Sequence, residues 1–324
     1  MADILRFDKF RLDLQDDEGR RFNLLDDISF SLPDGKALGI VGESGCGKSI
    51  TSLAVMRLLP QAAKVAGGSV SLRGENLLEK TEAEMHDIRG KDVAMIFQDP
   101  LTCLNPVLTI GFQIGEAIKR HNPRASAEEI KERTLSLLKR VGIPTPEKRI
   151  RNYPHQFSGG MRQRTMIAMA IACSPGLLIA DEATTALDVT IQAQVLDLMI
   201  RLKEGGSFMF ITHNLGIVAE VCDEVTVMYA GQIVEAGTVE EVFLHPAHPY
   251  TKGLLLALPT LTSLGKKLYN IPGVVPTVQN FTPGCRYAPR CEYAKPVCSE
   301  RKPARCVLND SHHVACYLYE EVMA

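Results

Sequence analysis

Short apolar runs bounded by turn residues alternate with helical periodicity along most of the chain. Ala37–Val41 (ALGIV) is apolar throughout and followed at once by glycines, the pattern of a strand buried on both faces of a parallel sheet. Lys48–Leu59 then reads as a helix. Leu177–Ala180 (LLIA) and Phe208–Thr212 (FMFIT) read as two more core strands. Between them, TIQAQVLDLMIRLK places Ile191, Val195, Leu198, Met199 and Leu202 on one helical face, and Gly205-Gly206 ends the helix. Strands joined by crossover helices predict an α/β fold with a parallel sheet.

Two stretches depart from this rhythm. From about Leu101 to Tyr153 the chain is more charged, carries helical spacing as in Ala127–Val141, and is punctuated by prolines. It reads as a helical subdomain, about residues 101–157, inserted into the α/β core. After Leu258 the chain turns to prolines, arginines and cysteines with little periodicity. That tail, residues 259–324, is expected to be irregular and too poor in apolar residues to build much core, so it needs a staple. No internal repeat or low-complexity tract is seen.

Composition narrows the function classes. The 36 basic residues nearly cancel the 38 acidic ones, leaving a formal charge of −2, which argues against a nucleic-acid binder. No apolar run approaches the ~18 residues that a membrane-spanning helix requires. The N-terminal MADILRFDKF carries acids at Asp3 and Asp8 and lacks the apolar centre of a signal peptide, so a cytosolic location is expected. In such a compartment thiols stay reduced. Nine cysteines are present, and five of them crowd into Cys285–Cys316, which suggests a metal site rather than disulfides.

The strongest chemical signal is Gly42-Glu43-Ser44-Gly45-Cys46-Gly47-Lys48-Ser49, which fits G-x-x-x-x-G-K-[ST] between an expected strand and an expected helix. Glycines let backbone N–H groups wrap phosphates, and the helix N-terminus adds partial positive charge. Lys48 would neutralise phosphate, and the Ser49 hydroxyl would ligate Mg²⁺. Downstream, the strand LLIA delivers Asp181 and Glu182 at its C-terminal edge, where ligands sit in open α/β sheets. Asp181 suits the Mg²⁺ shell, and Glu182 suits polarisation of an attacking water. Taken alone, the pair could be an acidic turn.

Three further pieces gain meaning from their order. Ser158-Gly159-Gly160-Met161 is a small-residue loop opening a helix near Met161, with Ser158 as cap and phosphate donor. Gln98 follows the apolar run Val93–Phe97 and could place its amide on metal or water. His213 ends FMFIT and could hydrogen-bond a γ-phosphate. Phosphate loop, Gln98, Ser-Gly-Gly, Asp181-Glu182, Ala186-Leu187-Asp188 and His213 in this order resemble the ATP-binding cassette (ABC) family of ATPases over about residues 5–258.

That resemblance implies a P-loop NTPase core (an ATPase domain of residues 1–258) followed by the 259–324 extension. It implies ATP and Mg²⁺ as ligands, with Glu182 and His213 catalytic and Ser49, Gln98 and Asp181 on the metal. The Ser158–Met161 signature and the Asp188 loop would act on ATP held by a second cassette, since ATP in this family lies between two cassettes arranged head to tail. YPHQFSGGMRQR, TTALDVTIQAQ, HPAHPYTKGLL and PGVVP resemble the peptide and nickel importer group. Its implied partners are two transmembrane permeases, a second and paralogous ATPase and, through the permeases, a solute-binding protein. The implied location is the cytoplasmic face of the inner membrane, the insertion after Gln98 docking on a permease. Dipeptides or oligopeptides are the implied cargo, with nickel or another small solute as the alternative. A soluble cassette acting on ribosomes or DNA is the rival class, but such proteins usually carry two cassettes or a long coiled coil.

Several residues depart from the family pattern. Ala183 stands where proline usually follows the glutamate, and Asn214 where aspartate usually follows the histidine. The connection Lys203–Ser207 is short. At the place of the adenine-stacking aromatic stands Leu14, with Phe22 as a weak substitute. In the tail, Cys285, Cys291, Cys298 and Cys316 have the spacing C-x5-C-x6-C-x17-C, without the close pairs common in zinc sites. Four thiolates on irregular loops suit a [4Fe–4S] cluster at least as well. The resemblance favours the cluster, with Zn²⁺ as the alternative and Cys306, His312 and His313 as rival ligands.

Overall fold

The computed structural model describes residues 2–183, 189–203, 205–258 and 269–320. The chain forms two compact units, Met1–Leu78 with Phe210–Ala324, and Glu79–Met209.

The first unit opens with two long strands, Asp3–Gln15 and Arg21–Pro33, paired antiparallel, with Ala63–Leu72 on the other side of the first. Ile4, Leu5, Phe7, Phe10 and Leu12 are buried, but register shifts between Phe7 and Phe10 and again before Leu12 break strict alternation. Those bulges hide the hairpin from a period-2 reading.

The second sheet of this unit begins at the expected Ala37–Val41, buried along its whole length and parallel to Glu224–Tyr229. Glu224–Tyr229 pairs with Gln232–Thr238, which pairs in turn with His313–Val314, and Cys306–Val307 closes that edge. The tail therefore completes a sheet begun elsewhere. Ile271, Cys285, Tyr287 and Ala288 join Tyr229, Tyr250, Val227 and Val234 in one core cluster. The rings of Tyr229, Tyr250 and Tyr287 meet at centroid distances of 4.7, 5.1 and 5.3 Å. Contrary to expectation, the tail does contribute to a core. A few large residues suffice because they finish a core that other segments have begun.

The helix after the phosphate loop runs Lys48–Met56 rather than to Leu59. Arg57 is left-handed with φ 50°, its N–H bonded back to the Ala54 carbonyl, and Pro60 disfavours any further turn.

In the second unit, Val93–Ile96 and Leu177–Asp181 pair in parallel, in register from Val93↔Leu177 to Ile96↔Ala180. Around them stand Ile110–His121, Ala127–Arg140, Gly159–Ala170 and Val189–Lys203, with shorter helices at Glu82–Ile88, Pro100–Cys103 and Pro146–Arg149. Local chemistry sets the boundaries. Ser126 and Glu129 form a reciprocal capping box at the start of Ala127–Arg140, and Lys119, Arg120 and His121 close Ile110–His121 at its negative end. Val195, Leu198, Met199 and Leu202 are buried as their spacing requires. Among the described residues no helix is long and apolar enough to cross a membrane.

Candidate functional site

In the first unit, Ala37–Val41 runs into the glycine-rich loop, which ends at the N-terminus of Lys48–Met56. Gly47 holds the turn at φ 101°, and a Cβ there would lie 2.6 Å from Leu25 Cδ2. The conformation and the packing both require glycine. The first helical turn carries no acid, so it brings no carboxylate of its own to compete with an anion at this helix N-terminus. Ser44, Gly45 and Ser49 are exposed, whereas Cys46 is buried and its carbonyl accepts from Gly231 N–H at 2.8 Å. Lys48 is 4% exposed, and its ammonium donates to the Gly42 carbonyl at 2.8 Å and the Glu43 carbonyl at 3.0 Å. These loop carbonyls hold the cation where phosphate oxygens would replace them.

Glu43 is anchored twice. Its N–H donates to the Tyr250 hydroxyl at 2.8 Å, and its carboxylate meets both terminal nitrogens of Arg290 at 2.7 and 3.2 Å. His213 ends Ser207–Thr212 and is exposed. Asn214 caps Leu215–Val221, its Oδ1 accepting from Gly216 N–H at 3.0 Å, and asparagine caps as well as aspartate. Leu14 and Phe22 face each other across the first hairpin, and Arg20 lies 5.9 Å from the Phe22 ring centroid.

The second unit assembles the other part of the set. Val93–Ile96 delivers Gln98, and the parallel neighbour Leu177–Asp181 delivers Asp181, buried, and Glu182, half-buried. Gln98 Nε2 donates to Glu182 Oε2 at 2.9 Å. Glu182 sits at φ 45°, a costly conformation for a non-glycine residue and one that concentrates at working sites. The next carbonyl, that of Ala183, accepts from Gln163 Nε2 at 2.6 Å, and Gln163 is 1% exposed on the helix Gly159–Ala170. That helix is capped by Ser158, whose Oγ accepts from Met161 N–H at 3.4 Å and keeps its own O–H available to donate. A Cβ on Gly160 would lie 2.7 Å from Ile191 Cγ2, so only glycine lets Val189–Lys203 approach the loop so closely. Gln98, Glu182, the backbone after Glu182 and the Ser158 helix are thus one connected web. Asp188 lies outside the described residues.

Gln163, Tyr250 and Arg290 were not singled out from the sequence. Gln163 falls inside the quoted FSGGMRQR run, but nothing there says that its amide turns inward. Tyr250 and Arg290 act on Glu43 from 207 and 247 positions away, and no local pattern reports such pairs.

In the tail, Cys285, Cys291, Cys298 and Cys316 line one pocket with His248, Tyr287 and Tyr317. Burial pushes the Cys285 thiol up to about 12 and raises Cys291 and Cys316. Cys306 packs instead with Ala247 and Val314, and His312 Nε2–H donates to Glu235 Oε1 at 2.7 Å; neither they nor His313 line this pocket. Among the described residues no group of three or more His, Cys, Asp or Glu side chains stands in metal-holding geometry.

Comparison with known proteins places these features. Residues 25–185 match the family described as ABC transporter, and residues 234–298 match the oligopeptide/dipeptide transporter C-terminal region. The chain is 50% identical over 297 residues to the dipeptide transport ATP-binding protein of Bacillus subtilis, covering 91% of this chain and 88% of the relative. It is 51% identical over 295 residues to the oligopeptide transport ATP-binding protein of the same organism, covering 90% and 82%. Among solved structures, the dimeric post-hydrolysis ATP-binding cassette MJ0796, bound to ADP and phosphate, shares the fold with a TM-score of 0.65. The identity is 24%, over 72% of this chain and 98% of that one.

Proposed function

This chain belongs to the ABC transporter family of ATP-binding proteins, and from that premise we propose that it binds and hydrolyses ATP to drive an importer of dipeptides and oligopeptides. The observation that carries this reading is the pair of relatives about half identical over nine tenths of the chain, both named as peptide transport ATP-binding proteins. The match of the tail to the oligopeptide/dipeptide C-terminal region supports the same cargo class. An ATPase domain of residues 1–258 with the 259–324 extension would serve two transmembrane permeases and a paralogous second cassette, at the cytoplasmic face of the membrane.

In this reading the N–H groups of Ser44–Ser49 wrap the ATP phosphates, and Lys48 exchanges its loop carbonyls for phosphate oxygens. Ser49, Gln98 and Asp181 would hold Mg²⁺, which would supply positive charge against the phosphates. Glu182 orients and deprotonates the attacking water, and the Gln98 amide already on its carboxylate aims it. His213 hydrogen-bonds the γ-phosphate. Ser158–Met161 of each cassette donates to ATP held by the other, which keeps water from the γ-phosphate except at the attacking position. Asp188 would act on the same shared nucleotide, as its place in the family's motif order implies.

We read the four cysteines that line one pocket of the extension as ligands of a [4Fe–4S] cluster, with Zn²⁺ as the alternative. The cluster would clamp the extension. Anaerobically purified protein is expected to be brown and to bleach in Cys291→Ser; colourless protein with stoichiometric zinc overturns the assignment.

Purification of the tagged chain from native membranes tests the transport reading. Two polytopic permeases and a second cassette are expected to accompany it. Ribosomes or DNA-processing proteins without any membrane protein would refute it. Glu182→Gln is expected to retain ATP with little turnover.

A further inference from the structure

The nucleotide loop and the C-terminal extension are joined by one side chain. Arg290 closes the short 3-10 turn Ala288–Arg290, directly before Cys291, and its side chain is 5% exposed. Its guanidinium is fully engaged. Nε donates to the Pro272 carbonyl at 2.7 Å, one terminal nitrogen to Glu43 and the Tyr229 hydroxyl, and the other to Glu43 and the Ile271 carbonyl. Burial disfavours its charge, but the bonds to Glu43 and Tyr229 more than restore it. Both partners of this two-pronged pair lie in the first compact unit.

The position of Glu43 makes the pair consequential. Its carbonyl takes part in holding Lys48 and accepts from Cys46 N–H, so rotation of this residue disturbs the loop at two points. Its carboxylate stands in a loop that is to receive a polyanion, where an unpaired negative charge opposes binding. Arg290 cancels that charge and fixes the peptide plane from a segment that otherwise lies outside the phosphate loop.

Resting on the assignment of Gly42–Ser49 as the ATP loop, we propose that Arg290 is a positioning residue for nucleotide binding, acting through Glu43, so that the C-terminal extension is part of the ATP site. The extension then sets ATP affinity, and whatever orders the turn beside Cys291 adjusts it.

A double-mutant cycle on the full-length chain tests this, with fluorescent MgATP analogue binding as the readout. Arg290→Gln is expected to weaken binding about tenfold, within the usual range of coupling between sites. Arg290→Lys, which keeps charge but not the fork, is expected to fall between. Because the two residues act as one, Glu43→Gln/Arg290→Gln is expected to bind no more weakly than Arg290→Gln alone. Arg301→Gln, which loses an extension bond to Tyr317, is expected to leave affinity unchanged. Additive losses in the double variant, an unchanged Arg290→Gln, or an equal loss in Arg301→Gln would each overturn the proposal while leaving the ATP reading intact. Failure of the unsubstituted chain to bind the analogue would refute the ATP reading itself and the proposal with it.

Discussion

Replacing Arg286 with methionine is expected to destabilise the first unit by about 3–5 kcal/mol, the usual cost of removing one partner from a buried charged network. Arg286 is 4% exposed and belongs to the tail, yet its guanidinium serves the N-terminal hairpin and the turn at Ala230. One terminal nitrogen donates to the Leu24 and Ala230 carbonyls, the other to the Asn23 carbonyl at 3.0 Å and Asn23 Oδ1 at 2.7 Å. The guanidinium also lies 4.1 Å from the Phe281 ring centroid. Burial is the chief reason its pKa falls below the usual guanidinium range to about 10, a desolvation cost on the order of 3 kcal/mol. Charge-assisted bonds at about 1.5–3 kcal/mol each outweigh that cost.

Methionine removes the desolvation cost but takes the guanidinium donors away from three backbone carbonyls and an amide oxygen. Each acceptor left unpaired costs about 1–3 kcal/mol, less where water can enter. The loss should be local first. Hydrogen–deuterium exchange is expected to accelerate at Asn23–Leu25 and Ala230–Gln232, alongside a lower urea midpoint. Gly231 links this turn to the phosphate loop through Cys46, so exchange in the loop should rise as well. A stability change below about 0.5 kcal/mol with unaltered exchange at those segments would refute the reasoning, since well-made surface contacts are worth no more than that.

Other positions give independent checks. Gly231→Ala puts a Cβ 1.7 Å from the Leu24 carbonyl oxygen at φ 79°, so the variant is expected to lose at least about 3 kcal/mol or to be insoluble; a normal melting temperature would contradict the packing. Gln163→Leu removes the donor to the Ala183 carbonyl beside Glu182, and ATP turnover is expected to fall while nucleotide affinity holds. Turnover equal to that of the unsubstituted chain would show that this bond does not set the position of Glu182. Although burial pushes the Glu241 carboxyl up, hydrogen bonds from Ser311 and Thr238 hold it down at about 2, against an ordinary 4.5. A lowered folded pKa favours the folded state above about pH 4.5, and that contribution is lost as pH falls from 4.5 towards 2. Melting curves across this window should show a shallower acid loss in Ser311→Ala; identical acid limbs would refute the link.

Much of this protein was legible in one dimension because its chemistry sits on local geometry. A strand, a glycine-rich turn and a helix N-terminus are the parts of a phosphate loop, and all three follow one another within Ala37–Met56, where local pattern reports them. The same holds for Leu177–Asp181 followed by Glu182, and for Ser158 capping Gly159–Ala170. Capping and periodicity are short-range physics, so the helix Ala127–Arg140 followed from the pattern, and the helix after the phosphate loop differs only at its end, where Arg57 turns left-handed.

Tertiary structure decided the pairings between remote residues. The bulges of the first hairpin break the alternation a strand is read by, so hydrophobic pattern alone does not report its pairing. The tail looked unable to form a core because a core is a property of surfaces that meet. Tyr287 and Ile271 are few, but they close over Tyr229 and Tyr250, supplied by other segments. Arg286 and Arg290 read as tail charges, and only the fold buries them among the carbonyls of Asn23, Leu24 and Ala230 and the carboxylate of Glu43. A sequence can state which residues carry charge. Which charge is desolvated, and against what, is settled when segments more than two hundred residues apart share one interior.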